Sequence, residues 1–237
     1  MLAIPAIDIR GGACVQLVGG SFDDERVRIA DPLDSLRRWV RAGFRRIHVV
    51  DLDAALGTGT NRDRIDALLA SGGSNLQIGG GVRTTEIAGE LLTAGATHVI
   101  VGTRALEEPT WLEALAARHP NHIVVAVDVR DRDVVTHGWA RRLPLSTGHV
   151  VDRLRGLPLG GVLVTAVHVE GRLSGPDLPL VSTIVRRATV PVIASGGIAT
   201  MDDLRCLAAT GAAGAVIGMA LYTGALDACA VAEEFCE

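Results

Sequence analysis

The feature that most constrains this chain is a glycine-centred unit that occurs twice. Ile78-Gly79-Gly80-Gly81-Val82-Arg83 follows an apolar run and precedes a helical pattern, and Ala194-Ser195-Gly196-Gly197-Ile198 does the same. Each is followed by a second apolar run that ends in glycine, Val99-Ile100-Val101-Gly102-Thr103 in one case and Ala215-Val216-Ile217-Gly218-Met219 in the other. The spacing from Gly80 to Gly102 is 22 residues, as is that from Gly196 to Gly218. Glycine lets backbone N–H groups approach an anion closely, and a helix beginning just beyond adds a favourable dipole. One Gly-Gly turn needs no explanation beyond a tight strand-to-helix connection. Its repetition at equal spacing points to two phosphate sites, one in each half of the chain.

At 237 residues the chain fits one large domain or two small ones, and α/β barrels reach this size as single domains. Hydrophobic residues make up 48% of it but aromatics only 3%, so the core must be built from Val, Ile, Leu and Ala, which suits parallel strands buried on both faces. The net charge of −4 gives no general attraction for nucleic acid or an anionic membrane, so any anion site must be local. The opening Met-Leu-Ala-Ile-Pro-Ala-Ile-Asp has no basic segment and reaches a charge too early for a signal peptide. No run approaches the roughly 18 apolar residues of a membrane span. Cys14, Cys206, Cys229 and Cys236 show no metal-binding spacing and read as free thiols of a reducing cytoplasm. The seven histidines form no paired ligand pattern, so no metal is expected. No dinucleotide fingerprint or nucleotide P-loop is present, and no cofactor is expected.

Taken in order, Leu2 to Ile9 is a first strand containing Asp8, and Arg10 to Ala30 reads as a long Gly-rich, charged loop. Asp31 and Pro32 cap and open a helix that Gly43 ends. Ile47–Leu52 is the second strand, Asn61 caps a helix through Leu69, and Leu76–Gly79 is the third strand. Thr84 or Thr85 starts the next helix, Val99–Gly102 is the fourth strand, and a helix spans Glu108–His119. The second half repeats the alternation, with strands at Ile123–Asp128, Gly161–Thr165, Val190–Ala194 and Ala213–Gly218. Helices fall at Thr147–Leu154, Asp177–Arg187, Met201–Thr210 and Leu226–Phe235. Val129 to Ser146 is a long polar loop with room for a short hairpin, and His168 to Pro176 is a Gly-containing loop. Eight strand–helix pairs without a linker predict a single (β/α)8 TIM barrel over residues 1–237, with two quasi-repeated halves of about 1–120 and 121–237.

In such a barrel the carboxyl ends of the strands open onto one face, where chemistry occurs. The two glycine units then lie on opposite sides of the mouth and suit a ligand with a phosphate at each end. Asp8 and Asp128, 120 residues apart, would flank its middle, and two carboxylates in unlike environments can divide general acid and base work. A strand-end Asp can instead be a helix cap or an ion-pair partner. Thr165 is either a catalytic hydroxyl or β-branched packing, and Glu170, in the loop after it, either reaches the mouth or is merely solvated. Trp139, in His137-Gly138-Trp139, is a stacking lid or a loop anchor. Arg83 can pair with an anion, and His48, in mid-strand, reads as a satisfied core histidine.

These residues resemble a known family. Ile4-Pro5-Ala6-Ile7-Asp8-Ile9-Arg10-Gly11-Gly12, Val49–Ala55, Gly79–Arg83, Val101-Gly102-Thr103, Val127-Asp128-Val129, Ser174-Gly175-Pro176, Ala194–Ile198 and Ile217–Tyr222 are similar, in order and along essentially the whole chain, to the HisA-type isomerases of histidine biosynthesis. The sister cyclase family typically has a Cys before the Asp and a Lys in the next loop, where this chain has Ala6 and the Arg10–Gly20 segment. The resemblance implies an Amadori-type aldose–ketose isomerisation of ProFAR, phosphoribosyl-formimino-aminoimidazole carboxamide ribonucleotide, to its ribulosyl isomer PRFAR. It implies Asp8 as base, Asp128 and Thr165 as supporting catalytic residues, and no cofactor. Substrate contacts would come from Gly80, Gly81, Arg83, Gly102, Thr103, Trp139, Ser195, Gly196, Gly197, Gly218 and Met219. The expected setting is a cytoplasmic monomer whose partner is the small bis-phosphate substrate.

Four positions depart from the family pattern. After the sixth strand the family usually reads Thr-Asp-Ile-x-Arg/Lys-Asp-Gly, and the second Asp is the usual acid. Here the stretch is Thr165-Ala166-Val167-His168-Val169-Glu170-Gly171, so Glu170 holds the acid's position with one more methylene and both Ala166 and Val169 lack the usual charge. Gln16 stands where the family commonly has an arginine near a phosphate. The other readings are an isomerase that also accepts phosphoribosylanthranilate, a non-catalytic phosphometabolite-binding barrel, and the cyclase.

Overall fold

The computed structural model describes residues 1–236, the Phe22 side chain excepted. In chain order its strands are β1 (Leu2–Arg10), β2 (Ala13–Val18), β3 (Ser21–Ile29), β4 (Arg46–Asp51), β5 (Asn75–Gly79), β6 (His98–Val101), β7 (Ile123–Arg130), β8 (Asp133–Thr136), β9 (Arg141–Ser146), β10 (Gly161–Ala166), β11 (Val192–Ser195) and β12 (Gly214–Ile217). Eight of them pair in parallel in the ring order β1, β4, β5, β6, β7, β10, β11, β12, and β12 returns to β1. Helices between successive barrel strands cover the outside, completing a single (β/α)8 barrel.

The alternation of side chains along each strand builds two cores. Ile4, Ala6, Ile100, Val124, Leu163, Ile193 and Val216 form a small cluster inside the barrel. Residues of the opposite parity, such as Ile7, Val49, Ile78, Val125, Val164 and Ala215, join the larger core between barrel and helices. The same parity carries to the strand ends. Asp8 follows Ile4 and Ala6, Asp128 follows Val124, Thr165 follows Leu163, and Ser195 follows Ile193, so these four lie on the inward face at the carboxyl rim. Below them the interior is partly polar. His48 and Gln77 are buried, with Gln77 Nε2 and His48 Nδ1 2.9 Å apart, and burial pushes the His48 pKa down to about 4. His48 is the core histidine that its mid-strand position suggests.

Local signals set most helix ends. Asp31 accepts from the Leu33 N–H at 3.0 Å, Pro32 opens the helix Pro32–Ala42, and Gly43 closes it at φ +104°. Thr84 caps Thr85–Thr93, and Thr200 with Asp203 forms a capping box on Met201–Ala209. Asn61 precedes the helix Arg62–Ser71 but its side chain makes no cap bond. Its Oδ1, the atom that would cap the helix, accepts instead from Gly12 N (2.8 Å), while its Nδ2 donates to Asp51 Oδ1 (2.7 Å) and Asp53 Oδ2 (2.9 Å), and these two charged acceptors fix the side chain in that orientation.

The largest correction concerns Arg10–Ala30, which is not a loop. β2 turns back on the end of β1, with Asp8 opposite Val15 and Arg10 opposite Ala13, and β3 then pairs antiparallel with β2. Its two connections are the pairs Gly11-Gly12 and Gly19-Gly20, all at positive φ, the pattern of tight two-residue hairpin turns. The polar segment after β7 also contains a hairpin, β8–β9, and its register repeats that of the first half: Asp128 lies opposite Val135 and Arg130 opposite Asp133. Short helices that no periodicity announces follow three strands directly, at Leu52–Leu56, Thr103–Glu107 and Met219–Thr223. All four cysteines are free, and among the described residues no helix is long and apolar enough to cross a membrane.

Candidate active site

The glycine turns occupy positions no other residue can take. A Cβ on Gly80 (φ +91°) would lie 2.2 Å from the Asp51 carbonyl oxygen, and one on Gly81 (φ +70°) 2.6 Å from the Ala54 Cβ. Across the ring, a Cβ on Gly197 (φ +81°) would meet the Gly175 oxygen at 2.2 Å, and one on Gly196 (φ +103°) the Ala166 oxygen at 2.7 Å. Each turn is thus pressed against the backbone following a neighbouring strand. Gly102 and Gly218 share an uncommon conformation (φ −111°, ψ −110° and φ −103°, ψ −101°) where strand passes into short helix. In the ring, β5–β6 and β11–β12 are diametrically placed, and β1 and β7 stand between them on opposite sides. Asp8 and Asp128 therefore flank the space between the two glycine units.

Three carboxyl groups at the mouth are displaced from ordinary behaviour in one direction. Burial raises the Asp8 pKa to about 7. Burial also raises Asp128, while hydrogen bonds from the Trp139 indole N–H and the Thr165 hydroxyl pull it part of the way back. Glu170 rises to about 7, first through burial and then through the negative charges of Asp8 and Asp128. Its Oε2 is buried without a hydrogen-bond partner. The short 3-10 turn Val167–Val169 after β10 swings Glu170 back over the barrel, so the longer carboxylate does reach the mouth. A base and an acid that both titrate near neutrality are the groups that reversible proton transfer at carbon and oxygen requires.

Three loops meet over this floor. The first hairpin's tip donates from Gly19 N to Glu170 O at 2.9 Å, and Gly171 packs against the Leu17 carbonyl. Trp139, at φ +69° in the segment after β8, donates from Nε1 to Asp128 Oδ2 at 2.8 Å while its ring lies against Gly20. In this arrangement the indole anchors its loop across the mouth. The same segment docks on the first glycine site, where Thr103 Oγ1 accepts from His137 N at 3.0 Å. Arg83 does not turn to an anion site here: its Nη2 donates to the Ala55 carbonyl (2.8 Å) at the end of the helix Leu52–Leu56. Ser195 ends β11 opposite Thr165, and Met219 is buried behind Gly218.

Two features depend on contacts that the sequence does not specify. Gln16 is buried on β2, its Nε2 donating to Val15 O (2.9 Å) and its Oε1 lying where a Gly218 Cβ would come within 2.3 Å, so an amide rather than a cation faces the second glycine site. Two residues earlier, Cys14 Sγ lies 3.1 Å from Tyr222 Oη, which donates to Ala6 O (2.8 Å) and accepts from Trp39 Nε1 (3.3 Å). Together these contacts fasten the first hairpin to the helix Met219–Thr223. Paired glycines flanking Ala13–Val18 were the available clue to the hairpin, but nothing in the sequence says which helix it meets.

Comparison with known proteins agrees with this geometry. Residues 2–227 match the family model described as "Histidine biosynthesis protein". The chain is 56% identical over 236 residues to a protein of Myxococcus xanthus, with 99% of each covered, and 53% identical over 235 residues to one of Gemmatimonas aurantiaca, again with 99% of each covered. A protein of Methanothermobacter thermautotrophicus is 43% identical over 228 residues, covering 96% of this chain and 95% of its own. All three relatives are named as the isomerase of 1-(5-phosphoribosyl)-5-((5-phosphoribosylamino)methylideneamino)imidazole-4-carboxamide, the systematic name of ProFAR. With its barrel, its paired glycine turns and a family match that spans nearly its whole length, this chain belongs to the histidine biosynthesis protein family.

Proposed function

We propose that this chain is an aldose–ketose isomerase that converts ProFAR to PRFAR. The observation that carries the reading is the convergence of Asp8, Asp128 and Glu170 between two diametrically placed glycine turns, in a chain 56% identical to a protein named as that isomerase. Each phosphate of the substrate would be held largely by backbone N–H groups at one glycine unit, leaving the ribosylamine over the carboxylates. Glu170 protonates the ring oxygen, the C1–O bond opens, and the substrate nitrogen carries the positive charge as a Schiff base. Asp8 then removes the C2 proton, and the enolamine gains a proton at C1 as the C2 hydroxyl becomes the ketone. The Schiff base is itself the electron sink, so every proton is accounted for by the substrate and two carboxyl groups. Asp128, fixed by Trp139 and Thr165, orients the sugar.

The test is turnover of ProFAR by wild type beside Asp8→Asn, Glu170→Gln and Asp128→Asn. Loss of either transferring group is expected to lower kcat by about 10²–10⁴. Substrate affinity should stay within about tenfold, because the phosphates anchor the ground state. An unaffected Glu170→Gln beside an inactive Asp128→Asn would move the acid to β7. An inactive wild type would overturn the reading.

A further inference from the structure

The second glycine pocket has an unusual wall. Gly196, Gly197 and Gly218 line it together with Glu170. Glu170 Oε2 is buried, makes no hydrogen bond, and lies where a Gly196 Cβ would come within 3.2 Å. Gln16 turns its Oε1 toward Gly218 from the other side. No lysine, arginine or histidine is among the described residues lining this pocket. A phosphate seated here would meet a carboxylate oxygen with no cation between them. Two like charges in so desolvated a place repel strongly, and the cheapest remedy is a proton.

We propose that an anion bound at Gly196–Gly197 and Gly218 holds Glu170 in its protonated form, so that the substrate's own phosphate loads the general acid and binding takes up one proton. The acid role rests on the isomerase reading above; the coupling itself rests on the pocket. The charged groups facing Glu170 are Asp8 from β1 and Asp128 from β7, and both push the same way as the anion. Among the described residues, the first hairpin brings Gly19 to the Glu170 backbone and Gln16 to Gly218, and the turns after β11 and β12 bring glycines. Within its own loop, His168 Nε2 is engaged with Asp177 at 3.3 Å, and Arg172 lies beside Gly19. Linkage is reciprocal: an anion that favours the protonated acid binds better when the acid is already protonated.

Sulfate is the probe, because its charge does not change across the pH range used. Calorimetric titration of wild type at pH 8, in two buffers of different ionisation enthalpy, should show uptake of about 0.5–1 proton per sulfate, and affinity should fall about three- to fivefold from pH 7 to pH 8. Glu170→Gln, checked for folding by a thermal melt, should bind sulfate at pH 8 about tenfold more tightly than wild type and without proton uptake. In wild type, the carbon-13 carboxyl titration of Glu170 should move up by about one pH unit or more when sulfate is present. Sulfate binding with no proton uptake, uptake that survives in Glu170→Gln, or no binding even at pH 6 each overturns the coupling. Turnover of ProFAR without coupled uptake would leave the isomerase standing and remove the loading device. Coupled uptake without turnover would support the coupling and remove the acid role.

Discussion

Glycines at different points of the two units do different work, and substitution should separate them. Gly80 sits at φ +91° with the Asp51 backbone oxygen where a Cβ would go, and backbone cannot yield. Gly80→Ala is therefore expected to cost about 3 kcal/mol or more, read as a fall in the urea midpoint. At Gly218 the obstacle is the end of the Gln16 side chain, which can rotate away. Gly218→Ala should cost less than about 1 kcal/mol in the same measurement yet raise KM for ProFAR, because a methyl group and a displaced amide then occupy the second phosphate site. Equal destabilisation by the two substitutions would show that Gln16 is held as rigidly as backbone.

Among the elements, the first hairpin decides how the mouth is closed. It is fastened below by the Cys14, Tyr222 and Trp39 cluster and touched above by Trp139 and Glu170. Tyr222→Phe removes a hydroxyl that serves Ala6 O and Trp39 Nε1, leaving both buried groups without that partner. Such a loss costs about 1–3 kcal/mol, measurable by urea denaturation. Trp139→Phe keeps an aromatic ring, though a smaller one, and deletes the N–H that Asp128 accepts. Its expected effect is a roughly tenfold loss in kcat/KM with unchanged stability, since the hydrogen bond positions a carboxylate rather than supporting the core. Segments of this kind were hard to read in the sequence. Ser21–Ile29 is charged and shows no clean alternation, because it is an edge strand whose partner, β2, lies on only one side. Its strand character comes from the edge that β2 offers, not from its own residues.

The whole molecule carries opposing responses to pH. Asp8 holds its proton up to about pH 7 when folded but only to about 3.8 when unfolded. Between these values the native state keeps a proton that the unfolded chain has released, so stability from this group falls as pH rises through the window. His48 behaves conversely. Its pKa of about 4 when folded, against 6.5 ordinarily, means that stability falls as pH drops from 6.5 toward 4. Asp8→Asn should therefore gain about 2 kcal/mol at pH 8, half the full linkage value because the carboxyl meets solvent at the mouth. In a thermal melt that is roughly 4–8 °C. The same variant should lose stability more steeply than wild type below pH 6.5, since the opposing carboxyl effect is gone. A melt at pH 8 no higher than wild type would show that Asp8 is not strained by its position.

The sequence by itself determined the barrel, through eight short apolar runs alternating with capped helices, and it marked the mouth through two glycine units at matched spacing. Those signals are local: a run of β-branched residues, a cap or a glycine needing positive φ acts within a few residues. It also placed Asp8, Asp128 and Thr165 at strand ends, where side-chain parity alone turns them inward. Only the tertiary structure decided that Arg10–Ala30 is a hairpin, that Asn61 serves Gly12 and two carboxylates rather than its helix, that Arg83 binds the Ala55 carbonyl, that Glu170 shares a pocket with Gly218, and that Gln16 packs against that glycine. Each of these depends on which partner arrives from a distant part of the chain. The raised pKa values of the mouth follow from the same cause, because burial and like charge act on a carboxyl group only after the barrel has closed around it.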